Sequence, residues 1–444
     1  MSRSWTGLLP KALRTRLQER PALRKIIGNV GWQSADQILR MGLGLVLSVW
    51  VARYLGPDQF GVLSYALAFV ALFSPLASLG LDDIVVRDLV RDPKRRDETL
   101  GSSFLLRLVG GALSAAAAIA AVFILRPDDL LGQGLVAIIA VGAIFQAAQA
   151  IEFWFNAQVQ AKYPVLARNG AFLLCALLKI ALILGEAPLQ AFAWVALLEI
   201  VAGALGLVIV YRLRGERLRQ WRLSGSRLRE LLRDSWPLLL SCIVIVIYLR
   251  IDQVMLGEMV GNEAVGVYTV AVRLAEVWLF FSAAVYWSVL PGLVQSRHED
   301  EALFYERLQK YYNLMALVAY AIAIPVTFLA EWLVLTLFGA DYAGAAPVLV
   351  VLIWANLFIY LDSARSAYFN AMNWYRLYLV TLSLGAALNV GLNLYLIPRH
   401  GGMGAALASC VSYWFAAHGA CFLYKPLHKT GFMLTRALFY PKVW

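Results

Sequence analysis

The sequence predicts an all-α polytopic membrane protein, with about twelve transmembrane helices in two six-helix lobes that are related by a parallel pseudo-repeat and enclose a central cavity. Three observations carry this. Hydrophobic residues fill 61% of the 444 positions and charged residues 15%, with a mean hydropathy of +0.68, which is too apolar for a soluble protein of this size. Apolar stretches of about 20 residues, the length that crosses a hydrocarbon core about 30 Å thick, recur about a dozen times. Short motifs of the first half also return in the same order in the second.

Residues 1–27 are basic with interspersed leucines (Leu8, Leu9, Leu13, Leu17, Leu23). No apolar stretch with a small-residue cleavage site follows closely enough for a signal peptide, so a cytoplasmic interfacial helix is expected. Spans at about 28–54, 59–82, 99–125, 130–158, 163–185 and 189–211 make an N-terminal lobe over 28–211. Spans at about 235–257, 264–291, 308–331, 346–371, 375–397 and 402–424 make a C-terminal lobe over 235–424. The basic run 212–234 reads as a cytoplasmic linker and 425–444 as a cytoplasmic tail. About 30 of the 39 Lys and Arg residues then fall on the side of the N-terminus and about 3 (Arg53, Arg126, Arg399) on the other, which sets both termini inside.

The first two spans form a tight helical hairpin. Pro57 disfavours the helical conformation at Gly56, and Gly-Pro marks a turn. Leu55-Gly56 followed by Gly61-Val62-Leu63-Ser64-Tyr65-Ala66 recurs as Leu256-Gly257 followed by Gly266-Val267-Tyr268-Thr269-Val270-Ala271. Trp154-Phe155-Asn156-Ala157 recurs as Tyr368-Phe369-Asn370-Ala371. Six spans per half is an even number, so both copies enter from the same side. Gly56 and Gly257, at the two matching turns, are candidates for an external gate between the lobes.

Charges inside the spans are costly and belong on a protein or water-facing side. Asp36 and Arg40 are spaced i, i+4 on one polar helix face with Gln33, Gln37, Gly44 and Ser48. Arg107, Lys179, Arg250, Arg273 and Arg365 also fall inside spans. Glu276 lies at i+3 of Arg273, within pairing distance on one face. Arg250 and Asp252, two apart, point to different faces, so at least one meets another helix. Lys179 and Glu199 are either partners across helices or a cavity cation and a proton carrier. A polar stripe of Gln146, Gln149, Glu152 and Asn156 in the fourth span has counterparts Tyr360, Ser363, Ser366 and Asn370 in the tenth, beside Asp362 and Arg365. Hydroxyl, amide and aromatic groups suit a sugar, and the same groups also hold helices together. The charges likewise suit either a cavity or structural ion pairs.

Four stretches carry a resemblance to a known family: A-R-Y-L-G-P-D-Q-F-G-V-L-S-Y from Ala52, R-I-D-Q-V-M-L-G from Arg250, V-G-V-Y-T-V-A-V-R-L-A-E from Val265 and F-G-A-D-Y from Phe338. These resemble the polysaccharide-transport branch of the multidrug/oligosaccharidyl-lipid/polysaccharide exporter superfamily, the O-antigen flippases. The resemblance implies alternating access between two six-helix lobes in a bacterial inner membrane. It implies a substrate made of a polyprenyl diphosphate bearing an oligosaccharide, moved from the cytoplasmic to the periplasmic leaflet, with the polymerase and ligase proteins of that export pathway as partners. Fixed arginines can replace the water around a diphosphate with bidentate, charge-assisted hydrogen bonds. On that basis Arg40, Arg250, Arg273, Lys179 and Arg365 are candidate diphosphate contacts, with Asp36, Asp252, Glu276, Glu152 and Asp362 as supporting acids. Gln149, Asn156, Tyr360 and Asn370 are the candidate sugar-facing groups.

Other chemistries find little support. There is no Walker motif, so transport is expected to draw on an H+ or Na+ gradient, on membrane potential or on removal of product, and there is no hydrolase or metalloprotease motif. No enzyme activity, cofactor or metal is expected, and Cys175, Cys242, Cys410 and Cys421 lie in apolar runs without ligand spacing. The net charge of +11 sits in loops between spans, where anionic lipid head groups rather than nucleic acid are the natural partner. An ion-coupled drug or metabolite antiporter of the same superfamily is opposed by six basic residues within the spans. A membrane polysaccharide polymerase or glycosyltransferase is opposed by short external loops, the longest running from about Glu331 to Tyr342.

Overall fold

A computed structural model of the chain describes residues 21–442, so 1–20 of the expected interfacial segment lie outside the described residues. The main helices are α1 (Pro21–Ser78), α2 (Asp82–Arg91), α3 (Arg96–Leu125), α4 (Leu130–Phe145), α5 (Ala150–Ala157), α6 (Lys162–Leu184), α7 (Leu189–Leu213), α8 (Gly225–Met259), α9 (Asn262–Glu276), α10 (Leu279–Glu299), α11 (Glu301–Leu337), α12 (Ala345–Met372), α13 (Tyr375–Ala417) and α14 (His428–Phe439). No strand occurs among the described residues.

Among the described residues ten helical stretches are long and apolar enough to cross a membrane. Two of them cross twice. A straight α1 of 58 residues would be about 87 Å long, nearly three times the hydrocarbon core. It is broken at Gly56, whose φ of 70° and ψ of 172° suit only glycine and turn the chain back. The 43-residue α13 is broken in the same way at Gly401 (φ 55°, ψ −133°). Its arms lie side by side, since the Asn389 amide donates to Ser412 and Gly385 packs on Ala416. Ten stretches with two reversals give the twelve crossings that the sequence predicts.

Two other spans are interrupted within the membrane. The fourth passes from α4 through a 3₁₀ turn (Gln146–Gln149) into α5. The eighth breaks between α9 and α10, and this break claims two polar residues of α12: Asn356 donates to the Ala275 carbonyl and the Tyr360 hydroxyl to that of Trp278. Carbonyls freed by a kink in an apolar medium need such partners. Tyr360 is therefore removed from the sugar-facing set: it is 1% exposed and serves the backbone of its own lobe.

The lobes meet at the end where α1 reverses. Here the second arm of α1 crosses α9 with no side chain between the backbones. A Cβ on Gly61 would overlap the Asn262 carbonyl, and one on Gly266 would overlap the carbonyl of Pro57. The contact is reciprocal across the pseudo-repeat. It also corrects the register of the repeat, because the turn equivalent to Gly56 is Gly261 (φ 120°, ψ 177°), not Gly257. Gly257 instead lies against the ring of Tyr65. Around these glycines Leu55, Phe60 and Tyr65 of one lobe pack with Leu256, Tyr268 and Tyr342 of the other in one apolar core. Polar bonds reinforce it. Arg126, beyond the end of α3, donates to Glu258 (2.8 Å) and Asn262 (2.9 Å) and stacks over Tyr65, while the Tyr342 hydroxyl donates to the Ala52 carbonyl at 2.8 Å.

At the opposite end the linker is not free. Arg222 donates its backbone N–H to Asp97, Arg227 bonds Asp88 (2.8 Å), and Arg87 bonds Asp234 (2.9 Å), tying the linker and the start of α8 to α2 and α3. The backbone of Leu238–Leu239 packs on Gly80. α14 is a helix laid along α11, where Tyr320 and Gln309 donate to its carbonyls at Leu438 and Met433.

Substituting Gly61→Ala should overpack the lobe contact by about 1–3 kcal/mol. In a background lacking the four native cysteines, a Leu256→Cys thiol, wholly buried at this contact in the parent, should then alkylate faster; an unchanged rate would show that the lobes part elsewhere.

Candidate functional site: a charged cavity between the lobes

A cavity of about 970 Å³ lies between the first arm of α1, α6, α7 and α9. Along α1 its lining runs from Val51 to Asp36, about 22 Å at 1.5 Å per residue, so it starts beneath the sealed end and reaches toward the opposite face. Near the seal the wall is apolar, with Val51, Phe60 and Phe192; further along it carries Arg40, Lys179, Glu199, Arg273 and Glu276, then Asp36, Glu152 and Arg168. A side pocket of about 170 Å³ opens behind Arg40 and Glu199, lined also by Gln146, Gln149 and Gly203.

The pairing differs from what the spacing suggests. Asp36 does not pair with Arg40 along the helix; it accepts from Arg168 of α6 at 2.8 Å, and Glu152 takes the other Arg168 nitrogen at 2.8 Å. Arg40 turns instead to Glu199 of α7 (3.3 Å) and lies over the Phe172 ring. Lys179 reaches the second oxygen of Glu199, also at 3.3 Å. Glu276 pairs with Arg250 of α8 at 3.3 Å rather than with Arg273 three residues earlier. Arg273 is left exposed to the cavity, and among the described residues it makes no ion pair.

Several predicted residues lie elsewhere. Arg365 is fully buried in the C-terminal lobe, bonded to Asp362 at 2.7 Å and to Thr381, with Phe369 and Tyr378 against its guanidinium. It cannot touch a substrate in the cavity. Asn370 donates to Tyr286 and accepts from Tyr375, in the same lobe. Gln149 reaches only the side pocket and accepts from Arg107, whose other nitrogen holds Asp82. Asn156 is half-buried in α5, away from the cavity wall. Asp252 does not line the cavity either. It is 4% exposed and accepts from Tyr268, Asn393 (2.7 Å) and Ser409, on α9 and α13, with no cation paired to it among the described residues.

Sequence inspection misses Arg168, which sits six residues into a span and reads as part of the loop cations around Lys162. Glu152, an acid in the preceding span with no partner offered by the sequence, was the signal for it. Arg126 and Glu258 are missed because each ends a helix, where charge is ordinary.

A model of the family described as "Polysaccharide biosynthesis protein" matches residues 26–296, more than half of the chain. The chain belongs to that family. This establishes the polysaccharide-transport likeness of the motifs at Ala52, Arg250 and Val265. Among curated relatives, the probable low-salt glycan biosynthesis flippase Agl15 of Haloferax volcanii is 22% identical over 85% of this chain and 78% of its own length. The probable flippase AglR of the same organism is 25% identical over 47% of this chain, which spans under half (44%) of that relative. Among solved structures, the lipid II flippase MurJ in an inward closed conformation covers 92% of this chain and 91% of its own at a TM-score of 0.72 and 14% identity. A multidrug resistance MATE family transporter in an inward-facing conformation covers 88% and 94% at a TM-score of 0.69 and 18% identity. This chain thus shares its two-lobe helical fold with membrane transporters.

The two kinds of arginine should separate on melting. Arg365→Ala empties an enclosed site and leaves the half-buried Asp362 without its cation, and should cost about 3–5 kcal/mol, whereas Arg273→Ala should stay within about 1 kcal/mol of the parent. Thermal unfolding of the purified variants in detergent checks both.

Proposed function

We propose that the protein carries a polyprenyl-diphosphate-linked oligosaccharide, an O-antigen or other exopolysaccharide repeat unit, from the cytoplasmic to the periplasmic leaflet of a bacterial inner membrane. The observation that carries this is the unpaired Arg273 of one lobe lining the same cavity as Arg40 and Lys179 of the other. Cations contributed by both lobes suit a doubly charged anion held between them, because the anion then favours their approach. The names of the curated relatives and of the MurJ neighbour agree with a lipid-linked glycan as cargo. A cationic drug would meet the same guanidiniums unfavourably.

In this reading both termini are cytoplasmic, the lobes 28–211 and 235–424 rock about the cavity, and the seal at Gly61 and Gly266 is the periplasmic gate. The structure then corresponds to a state reached from the cytoplasm, where basic residues gather anionic lipid. The diphosphate contacts Arg40, Lys179 and Arg273, and Arg168 with Asp36 and Glu152 holds the wall. Asp252 is the coupling carboxylate. Surrounded by neutral donors, its charge is compensated when it takes up a proton or a sodium ion, and α8, α9 and α13 then reset together. Polymerase and ligase proteins would receive the flipped unit.

Depletion of the protein should accumulate lipid-linked oligosaccharide on the cytoplasmic face. Arg40→Ala should abolish polymer export at normal abundance, with Arg40→Lys restoring part of it, since an ammonium cannot form the bidentate pair. Full export by the alanine variant would remove Arg40 from the site. Asp252→Asn should fold and lose the dependence of export on the ion gradient; export that still tracks the gradient would return Asp252 to a structural role.

A further inference from the structure

Glu199 is placed unlike the other cavity acids. Its two carboxylate oxygens are divided between two cations on different helices, Oε1 toward Arg40 and Oε2 toward Lys179, each at 3.3 Å. Tight charge-assisted bonds measure about 2.7–2.9 Å, the distance at which Arg168 is held by Asp36 and Glu152. Arg168 has two carboxylates to itself. Arg40 and Lys179 share one, so this trio keeps a net positive charge and its bonds are slack. Glu199 is also reachable, with 22% of its side chain exposed, and it lies in the wall between the main cavity and the side pocket. A carboxylate that leaves the two cations has Gln146 and Gln149 as donors behind it.

We propose that Glu199 is an internal stand-in for the anionic group of the cargo. Resting on the proposed diphosphate cargo, this role is an exchange of one anion for another. When the cavity is empty, two cations at bilayer depth without a counter-charge are expensive, and Glu199 supplies that charge. When the cargo enters, its phosphate oxygens take the positions of Oε1 and Oε2 between Arg40 and Lys179, and the carboxylate swings into the side pocket. On the far side Glu199 returns to the cations and expels the phosphate. Glu199 is thus a positioning residue that sets affinity against turnover: it weakens binding so that release and return of the empty carrier stay fast.

The test uses the full-length protein in nanodiscs with farnesyl diphosphate as probe, together with polymer export in cells. Glu199→Gln keeps the shape and removes the competing charge, so the probe should bind about tenfold tighter or more, while export per folded molecule falls. Glu199→Ala should shift both in the same directions, and neither variant should gain for farnesol, which lacks phosphate. Unchanged affinity with unchanged export would overturn the assignment. So would a parallel loss of binding, export and melting temperature in both variants, or failure of both to fold, since these mark Glu199 as a structural anchor. If the parent protein itself does not bind the probe, the diphosphate cargo is what fails, and the two outcomes are told apart by that control.

Discussion

Backbone contact between α1 and α9 is the constraint on which the rest of this molecule depends. Two helices can approach that closely only where both lack a Cβ, and the reciprocal pairing of Gly61 with Asn262 and of Gly266 with Pro57 provides it. With the lobes pinned there, the first arm of α1 and the far end of α9 stand apart with Arg40, Lys179, Arg273 and Glu199 between them. The apolar residues around the pin exclude water from one end, and the charges occupy the other. A wedge-shaped space with a dry apex and a charged mouth follows from a contact that contains no side chain at all.

The charges fall into two kinds by a simple physical criterion. Where a guanidinium is wholly enclosed, as Arg107 and Arg365 are, it has a carboxylate at 2.7 Å and aromatic rings on its face, because nothing weaker offsets its lost hydration. Among the described residues each lobe has one such centre. Around the cavity the pairing varies: Arg168 holds two carboxylates at 2.8 Å, Arg40 and Lys179 share one at 3.3 Å, and Arg273 has no ion pair among the described residues. Depth in the membrane therefore says little about function; the slackness of the pairing says more.

The all-α membrane fold, its approximate helix number and the family were legible in the sequence because they rest on long apolar runs and on turn residues with one physical meaning, such as Gly56-Pro57. The site was legible only in part. Asp36, Arg40, Lys179 and Arg273 were found because ionisable groups in apolar runs stand out, but their partners were misassigned, as with Asp36 and Arg40. Spacing along one helix shows who is near on that helix and nothing about the helix across the way. Tyr360 illustrates a second limit. Its hydroxyl answers a break in α9–α10 that leaves no mark in composition, so a residue that looks ready for a sugar is spent on a carbonyl.

The tether at the start of α8 changes where the chain divides as a machine. Arg227 and Asp234 are bonded to α2, and the backbone at Leu238–Leu239 rests on Gly80, so the first four turns of α8 travel with the N-terminal lobe although they belong by sequence to the linker and the next span. Pro237 lies within these turns and withdraws one rung of the helix ladder there. The proposed rotation between lobes would then be absorbed inside a continuous helix, near Pro237, rather than in a loop. In the proposed rocking, the part of α8 beyond Pro237 would be the crank that carries rotation to Arg250 and Asp252, about four turns further along the same rod.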